Sequence, residues 1–235
     1  MAVDKIDVCG GEAIATCEAV ALQNVGVARG GRRILEGIDV HVPSGSALIL
    51  RGANGTGKTT LLRAMAGLQP CAAGRITPEP DAMAYASHAD GLKGTLSAAD
   101  NLRFWARLHG SGDIETALSA FALVPLRNRL ADALSAGQRR RLGLARMMVT
   151  GRPVWLFDEP TVSLDTAATA RFAAVVEAHL GRGGIAVIAT HIPLGLSSVR
   201  ELDLGAFRVR PETSVGQPGT SDDDGFGGDA AEAFQ

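Results

Sequence analysis

The sequence contains little lysine and little cysteine. Only three of its 23 basic residues are lysines, at Lys5, Lys58 and Lys93. A GC-rich coding bias is the simple interpretation of this shortage. A lysine retained in such an arginine-rich chain nevertheless favours a position where a compact ammonium is needed and a planar guanidinium does not fit. The net charge of −2 gives no indication of a large nucleic-acid-binding face.

The three cysteines and the hydropathy pattern exclude further classes. Cys9, Cys17 and Cys71 have neither metal-ligand nor haem-attachment spacing, which favours free thiols in a reducing cytosol. The first 20 residues carry early acids and no continuous apolar core, so they do not resemble a signal peptide. No apolar run reaches the roughly 18 residues that a membrane span needs. If the protein acts at a membrane, we therefore expect it to be a peripheral subunit.

The alternation of predicted buried strands and helices along the chain predicts an α/β fold with a parallel core sheet. Short apolar runs at 46–52, 154–158 and 183–191 are typical of buried strands, and helical spacing follows the first two. A strand, a turn and a second strand are predicted over 19–42, and 201–210 is expected to form a small hairpin or an edge strand. The predicted organisation is an arm at 1–18, a folded domain at 19–210 with a mostly helical part at about 87–150, and a disordered acidic tail at 211–235.

The first motif lies between a predicted strand and a predicted helix. Residues 52–59 read G-A-N-G-T-G-K-T, a full match to the P-loop pattern G-x-x-x-x-G-K-[ST]. Its glycines let backbone N–H groups curl around phosphate oxygens, and the positive end of the following helix points at the same anion. Lys58 is expected to reach the β- and γ-phosphates, and the Thr59 hydroxyl to ligate Mg²⁺. The motif predicts an ATP site formed by Gly52, Ala53, Asn54, Gly55, Thr56, Gly57, Lys58, Thr59 and Thr60.

The second motif is a pair of carboxylates after the apolar run V-W-L-F. In an open α/β sheet, ligands bind at the carboxyl ends of the strands. Asp158 is therefore expected to hold Mg²⁺ through water, and Glu159 to polarise the attacking water beside the γ-phosphate. An acidic helix start is the alternative interpretation. The P-loop in the same chain favours the catalytic one.

The third motif, L-S-A-G-Q at 134–138, resembles the signature motif of ABC ATPases. The resemblance implies an ABC ATPase fold, with an antiparallel β subdomain and a helical subdomain beside the parallel core sheet. It also implies a homodimer in which Ser135, Gly137 and Gln138 complete the ATP site of the opposite subunit. Physically, these residues start a second helix whose N-terminus can bind an anion.

Two shorter segments extend the resemblance. V-S-L-D at 162–165 partly matches the D-loop, which is usually S-A-L-D and communicates across the dimer. His191 follows the third buried strand, where the family histidine contacts the γ-phosphate and positions water. The resemblance thus makes Glu159, His191 and Lys58 the catalytic candidates.

Two positions depart from the common family pattern. Arg29 stands where the family has an adenine-stacking aromatic residue, so it either stacks its guanidinium on the base or is a solvated turn residue. His88 stands in place of the Q-loop glutamine, where it could ligate Mg²⁺ or orient water. Protonation of a histidine there would add a pH dependence that glutamine lacks.

These departures make residues 19–210 similar to one group of ABC ATPases. His88 and the segments at 91–110 and 188–196 resemble the ATP-binding subunit of the cytochrome c maturation haem-export system. The resemblance implies an ATPase on the cytoplasmic face of the bacterial inner membrane, docked on separately encoded integral membrane permease subunits. It would drive haem export or the release of a haem-loaded periplasmic chaperone.

Three alternatives remain beside this hypothesis. The chain could serve another ABC exporter, or be a soluble ABC protein that acts on ribosomes or DNA. Only 95 residues separate Lys58 from Pro153, too few for the long coiled coil of DNA-repair members. Ribosome-binding members usually carry two such domains, and this chain carries one. A binding-only regulatory subunit is disfavoured because Lys58, Asp158, Glu159 and His191 are all present.

Overall fold

The computed structural model describes residues 17–109 and 113–209, which form two β-sheets and five α-helices. The predicted acidic tail and all but Cys17 and Glu18 of the predicted arm lie outside the described residues. The predicted α/β class is confirmed. The predicted domain bounds at 18/19 and 210/211 stay predictions.

An antiparallel hairpin begins the described fold. Strand β1 (Ala19–Arg29) pairs with β2 (Arg32–Pro43), as the alternating pattern predicted. Gly30 and Gly31 join them with φ of 56° and 78°. Positive φ at both central residues is typical of a type I′ turn, whose twist matches that of the strands. The other edge of β1 pairs with β4 (Ala73–Thr77), a strand that the sequence pattern did not predict.

The central sheet has five parallel strands in the order β5-β6-β7-β3-β8. The three strands predicted to be buried occupy its middle, and the two others lie at its edges. The segment at 201–210 was predicted as a hairpin or an edge strand, and it contributes to β8, an edge strand parallel to β3. A 3₁₀ helix follows at Leu204–Phe207, so the hairpin alternative was wrong. The strands are β3 (Ala47–Arg51), β5 (Met83–Ala86), β6 (Val154–Asp158), β7 (Ile185–Ala189) and β8 (Val199–Asp203).

Side chains of the central strands alternate between two hydrophobic cores. In β6, Trp155 and Phe157 enter one core, while Val154 and Leu156 enter the other. Helix α1 (Lys58–Met65) and the antiparallel sheet cover the second core. The first core lies against α2 (Ala98–His109), α3 (Ile114–Ala120), α4 (Ala136–Met148) and α5 (Thr166–Gly181).

The helices α2, α3 and α4 lie between β5 and β6 in the chain and pack against one another. They fall inside the segment that helical spacing predicted. Asp113 caps α3 through the backbone N–H groups of Glu115 and Thr116, and Asp165 caps α5 in the same way. Within the described ranges, no helix has the length and apolar character needed to cross a membrane.

A buried histidine joins α5 to the central sheet. The His179 ring stacks on Trp155 at 3.7 Å, and its Nε2 lies 3.1 Å from the Pro153 carbonyl oxygen. Among the residues that the structure describes, its buried Nδ1 has no hydrogen-bond partner. Burial lowers the pKa of His179 to about 4, because an added proton would bring charge into the core. His179 is therefore a neutral structural residue.

Candidate functional site

The P-loop residues connect β3 to α1, in the order that the sequence predicted. Gly57 is the N-cap of α1 with φ of 113°, and within residues 17–109 and 113–209 no side chain caps this helix end. A Cβ atom on Gly57 would approach Leu35 Cδ1 to 2.9 Å, and the positive φ favours glycine at this position. The first N–H groups of α1 thus lack a side-chain acceptor and can bind an anion.

Lys58 is held inside this loop with only 7% of its surface exposed. Its Nζ donates to the carbonyl oxygens of Gly52 at 2.7 Å and Ala53 at 3.4 Å. The same Nζ lies 3.2 Å from His191 Nε2. The buried ammonium therefore faces the carboxyl end of the sheet, where the lysine-poor composition and the P-loop pattern had indicated a specific role.

The carboxyl ends of β6 and β7 meet the P-loop at one point. Glu159 Oε1 lies 3.4 Å from His191 Nε2, the nitrogen that also faces Lys58. The Glu159 N–H donates to the Ala189 carbonyl at 2.9 Å, which fixes the end of β6 against the end of β7. The structure therefore brings all three catalytic candidates together around one imidazole nitrogen.

Asp158 ends β6 with 5% of its surface exposed and receives a hydrogen bond of 3.5 Å from the Tyr85 hydroxyl to its Oδ2. Burial and the nearby Asp158 carboxylate raise the pKa of Tyr85 to about 12, so this phenol stays a donor. Tyr85 was not predicted as a site residue. Its place in the apolar strand M-A-Y-A, next to the Q-loop position, was the available signal.

The donor set around Asp158 fits Mg²⁺ better than a transition metal. In the described part of the chain, no group of three or more His, Cys, Asp or Glu side chains converges on one point. Mg²⁺ is commonly held by one or two carboxylates with phosphate oxygens and waters. The Thr59 hydroxyl at the start of α1 and the Asp158 carboxylate match that pattern.

His88 is the third predicted metal residue. Its exposed side chain lines an open cleft between the start of α4 and residues 162–163. Among the described residues, its ring makes no hydrogen bond to Asp158 or Thr59. A metal role for His88 stays a prediction. The cleft is lined by His88, Asp90, Ala136, Arg139, Arg140, Val162 and Ser163.

The signature residues form the N-terminus of α4. Ser135 Oγ accepts from the Gln138 N–H at 3.3 Å, and Gln138 Oε1 accepts from the Ser135 N–H at 3.0 Å. This reciprocal pair is a capping box. A Cβ atom on Gly137 would lie 3.0 Å from the Ser163 carbonyl oxygen, so the signature residues pack on the D-loop segment. Within 17–109 and 113–209, no hydrogen bond joins Ser135, Gly137 or Gln138 to the P-loop.

Arg29 is exposed at the end of β1, opposite Arg32 across the turn. Its hairpin packs against the P-loop through Ile34 and Leu35, which lie next to Gly57. A base-stacking role for Arg29 stays a prediction. Sequence reasoning also missed Arg140, a buried arginine behind Glu159. The only available signal was its place in the run R-R-R after the signature motif.

Comparisons with known proteins agree with this geometry. The model of the ABC transporter family matches residues 35–162. The cytochrome c biogenesis ATP-binding export protein CcmA of Rhodobacter capsulatus is 56% identical over 209 residues, which are 89% of this chain and 97% of that protein. The protein of the same name from Paracoccus denitrificans is 61% identical over 190 residues, which are 81% of this chain and 90% of that protein.

Solved structures show the same fold at lower identity. A putative ABC transporter ATP-binding protein from Pyrococcus furiosus has a TM-score of 0.73 and 20% identity, and the match covers 81% of this chain and 100% of that one. The structure of an ATP-binding subunit of an ABC transporter has a TM-score of 0.71 and 20% identity, with coverage of 80% and 87%.

Proposed function

The chain belongs to the ABC transporter family, and we propose that it is the ATP-hydrolysing subunit of an exporter for cytochrome c biogenesis. The observation that carries the hydrolytic part is the convergence of Lys58, Glu159 and His191 beside the uncapped start of α1. The relatives named cytochrome c biogenesis ATP-binding export proteins support the exporter part. In this proposal, ATP hydrolysis drives haem export or the release of a haem-loaded periplasmic chaperone.

The nucleotide is bound by residues 52–60. The N–H groups at the start of α1 hold phosphate oxygens, and the Lys58 ammonium offsets charge on the γ-phosphate. Arg29 stacks on the adenine. The candidate Mg²⁺ residues are Thr59, Asp158 and His88, and the bound ion would neutralise phosphate charge.

Glu159 acts as the base that orients and polarises the attacking water. Its carboxylate lies at the edge of the P-loop, and His191 next to it shares the work of positioning that water. The contact of His191 with both Lys58 and Glu159 supports this role, because the ring then lies between the residue that binds the γ-phosphate and the carboxylate that acts as the base.

Two copies of the chain form the working unit. Each ATP lies between the P-loop of one copy and residues Ser135, Gly137 and Gln138 of the other. The absence of signature-to-P-loop hydrogen bonds in the described part of one chain supports this division between copies. The dimer docks on integral membrane permease subunits, which keeps the protein on the cytoplasmic face of the bacterial inner membrane.

Replacing Glu159 with glutamine tests the hydrolytic assignment. The variant keeps the shape of the side chain but cannot accept the proton, so we expect ATP turnover to fall about 100-fold or more. ATP should then trap the variant as a dimer, measured by light scattering after size-exclusion chromatography. Glu79→Gln, at an exposed turn, is the matched control. Wild-type turnover in the Glu159→Gln variant would contradict the role of Glu159.

Purification of the tagged chain from detergent-solubilised membranes tests the exporter assignment. We expect cytochrome c maturation membrane subunits to copurify and to be identified by mass spectrometry. Recovery of a different permease would transfer the ATPase to another exporter. Recovery of ribosomal or DNA-associated proteins with no membrane subunit would refute the transporter proposal.

A further inference from the structure

Arg140 is a buried arginine that lies directly behind the turn carrying Glu159. Only 5% of its surface is exposed. Its Nη2 donates to the carbonyl oxygens of Asp158 at 3.3 Å and Glu159 at 2.8 Å, and its Nε donates to that of Pro160 at 3.1 Å. One guanidinium therefore holds three consecutive carbonyl groups at the end of β6.

The backbone that Arg140 holds is strained. Glu159 has φ of 45°, in the left-handed region that a residue with a side chain rarely adopts. Such a conformation persists only when surrounding contacts fix it. The hydrogen bond from Arg140 to the Glu159 carbonyl is one of these contacts. It therefore contributes to the direction in which the Glu159 carboxylate points.

The same guanidinium holds a second segment, the loop at 87–90. Its Nη1 donates to the Ser87 carbonyl at 2.9 Å, the His88 carbonyl at 3.5 Å and Asp90 Oδ1 at 3.1 Å. This loop lies tightly on α4, since a Cβ atom on Gly143 would approach Asp90 Cβ to 2.9 Å. Arg140 thus fills the space between the loop and the Glu159 turn.

The charge of Arg140 makes it unfavourable to separate the 87–90 loop from the guanidinium. Asp90 is the acidic partner of the buried guanidinium, at 3.1 Å. Leaving a buried charge without its partner is strongly unfavourable. Movement of the 87–90 loop away from α4 would therefore pull on Arg140, and through it on the carbonyls of Asp158 and Glu159. Neither lysine nor glutamine offers the five donors in a planar fork that this arrangement uses.

We propose that Arg140 is a positioning residue for ATP hydrolysis, which holds the Glu159 turn in its reactive geometry and couples that turn to the 87–90 loop. The proposal rests on the ATPase function proposed above. It assigns no contact with ATP to Arg140. Loss of Arg140 should therefore lower kcat and leave nucleotide affinity largely unchanged.

The test compares Arg140→Gln and Arg140→Lys with Arg139→Gln in the full-length protein. For Arg140→Gln we expect kcat to fall at least tenfold, with KM and the affinity for a fluorescent ATP analogue changed less than about threefold. Arg140→Lys keeps the charge and should recover part of the loss. Arg139→Gln, the control on the same helix, should hydrolyse ATP as the wild type does. Equal kcat in Arg140→Gln and Arg139→Gln would overturn the proposal.

A double-mutant cycle separates positioning from a structural role. In a Glu159→Gln background the carboxylate to be positioned is already lost, so adding Arg140→Gln should lower the residual turnover less than twofold. A purely structural arginine would lower it by the same factor as in the wild type, and that result would refute the proposal. If Arg140→Gln fails to fold, Asp90→Asn takes its place in the same cycle. An inactive wild-type chain would instead refute the ATPase function itself.

Discussion

The two helices whose N-termini carry the nucleotide motifs are built differently. Helix α1 has Gly57 as its N-cap and no side-chain cap in the described part of the chain, and the buried Lys58 ammonium lies in the loop before it. Helix α4 starts at Ser135, whose side chain forms a capping box with Gln138. The first helix end can offer its N–H groups to an anion without losing an internal bond. At the second, an anion competes with bonds that the chain already makes.

This difference indicates that the two motifs have different roles in nucleotide binding and turnover. The start of α1 has the features of a phosphate anchor that works within one chain. The start of α4 is stable by itself and adds less to binding. The second motif is therefore expected to matter for turnover in the dimer more than for the affinity of a single chain.

Among the substitutions at the two helix ends, Lys58→Ala should cause the greatest loss of activity. The change removes a buried cation from the α1 site, so we expect ATP turnover to fall roughly a hundredfold to a thousandfold. Nucleotide affinity, measured by calorimetry, should fall as well. Lys93→Ala removes an exposed lysine outside the site and is the control. Undiminished affinity and turnover in Lys58→Ala would contradict the phosphate-anchor role of α1.

Acidification should lower the stability of the folded protein, and with it the order of both helix ends, because both pack on the central sheet. The pKa of His179 is lowered to about 4 in the folded protein from an ordinary 6.5. The unfolded chain therefore binds more protons between these values, and stability falls as pH decreases through this window. From pH 7 to pH 5 we expect His179 to account for a loss of about 2 kcal/mol in the free energy of unfolding.

Urea denaturation at several pH values measures this loss. His179→Gln should flatten the pH dependence of the free energy of unfolding between pH 7 and pH 5. His41→Gln, which removes an exposed histidine, should leave it unchanged. An equal pH dependence in His179→Gln and the wild type would show that another group is responsible.

Ser135→Ala should lower activity least, and it tests whether the start of α4 contributes to nucleotide affinity. Loss of an N-cap side chain costs about 1 kcal/mol of stability. Turnover should fall several-fold, while the nucleotide affinity of a single chain stays the same. Asp113→Ala removes the cap of α3 and should cost similar stability without lowering turnover. A large loss of nucleotide affinity in Ser135→Ala would erase the distinction between the two helix ends.

The parts of the site predictable from the sequence are those that local patterns determine. The P-loop pattern placed Lys58 at the start of α1, and two apolar runs placed Glu159 and His191 after buried strands. Because parallel strands end at one edge of the sheet, these residues had to approach one another. The structure confirms that they do, with 3.2 Å and 3.4 Å from His191 Nε2 to Lys58 Nζ and Glu159 Oε1.

The parts that the sequence could not predict depend on contacts between distant segments. Strand β4 is short and has no buried residue, so it lacks an apolar signal and is defined only by pairing with β1. Arg140 lies in a basic run that is typical of a solvated helix face. Its burial arises because β6 and the 87–90 loop meet over α4. The position of His88 was likewise set by this packing.

Because side chains alternate along β6, the position of Asp158 in the strand decides on which side of the sheet its carboxylate lies. Counted along the strand, odd and even residues belong to different cores, and Asp158 is the last residue counted. Adding or removing one residue within Val154–Asp158 would exchange the two sets of side chains and turn Asp158 to the opposite side of the sheet. The strand can therefore accept substitutions of similar volume but not a change of length by one. Insertions in this family member should be confined to segments outside the central strands.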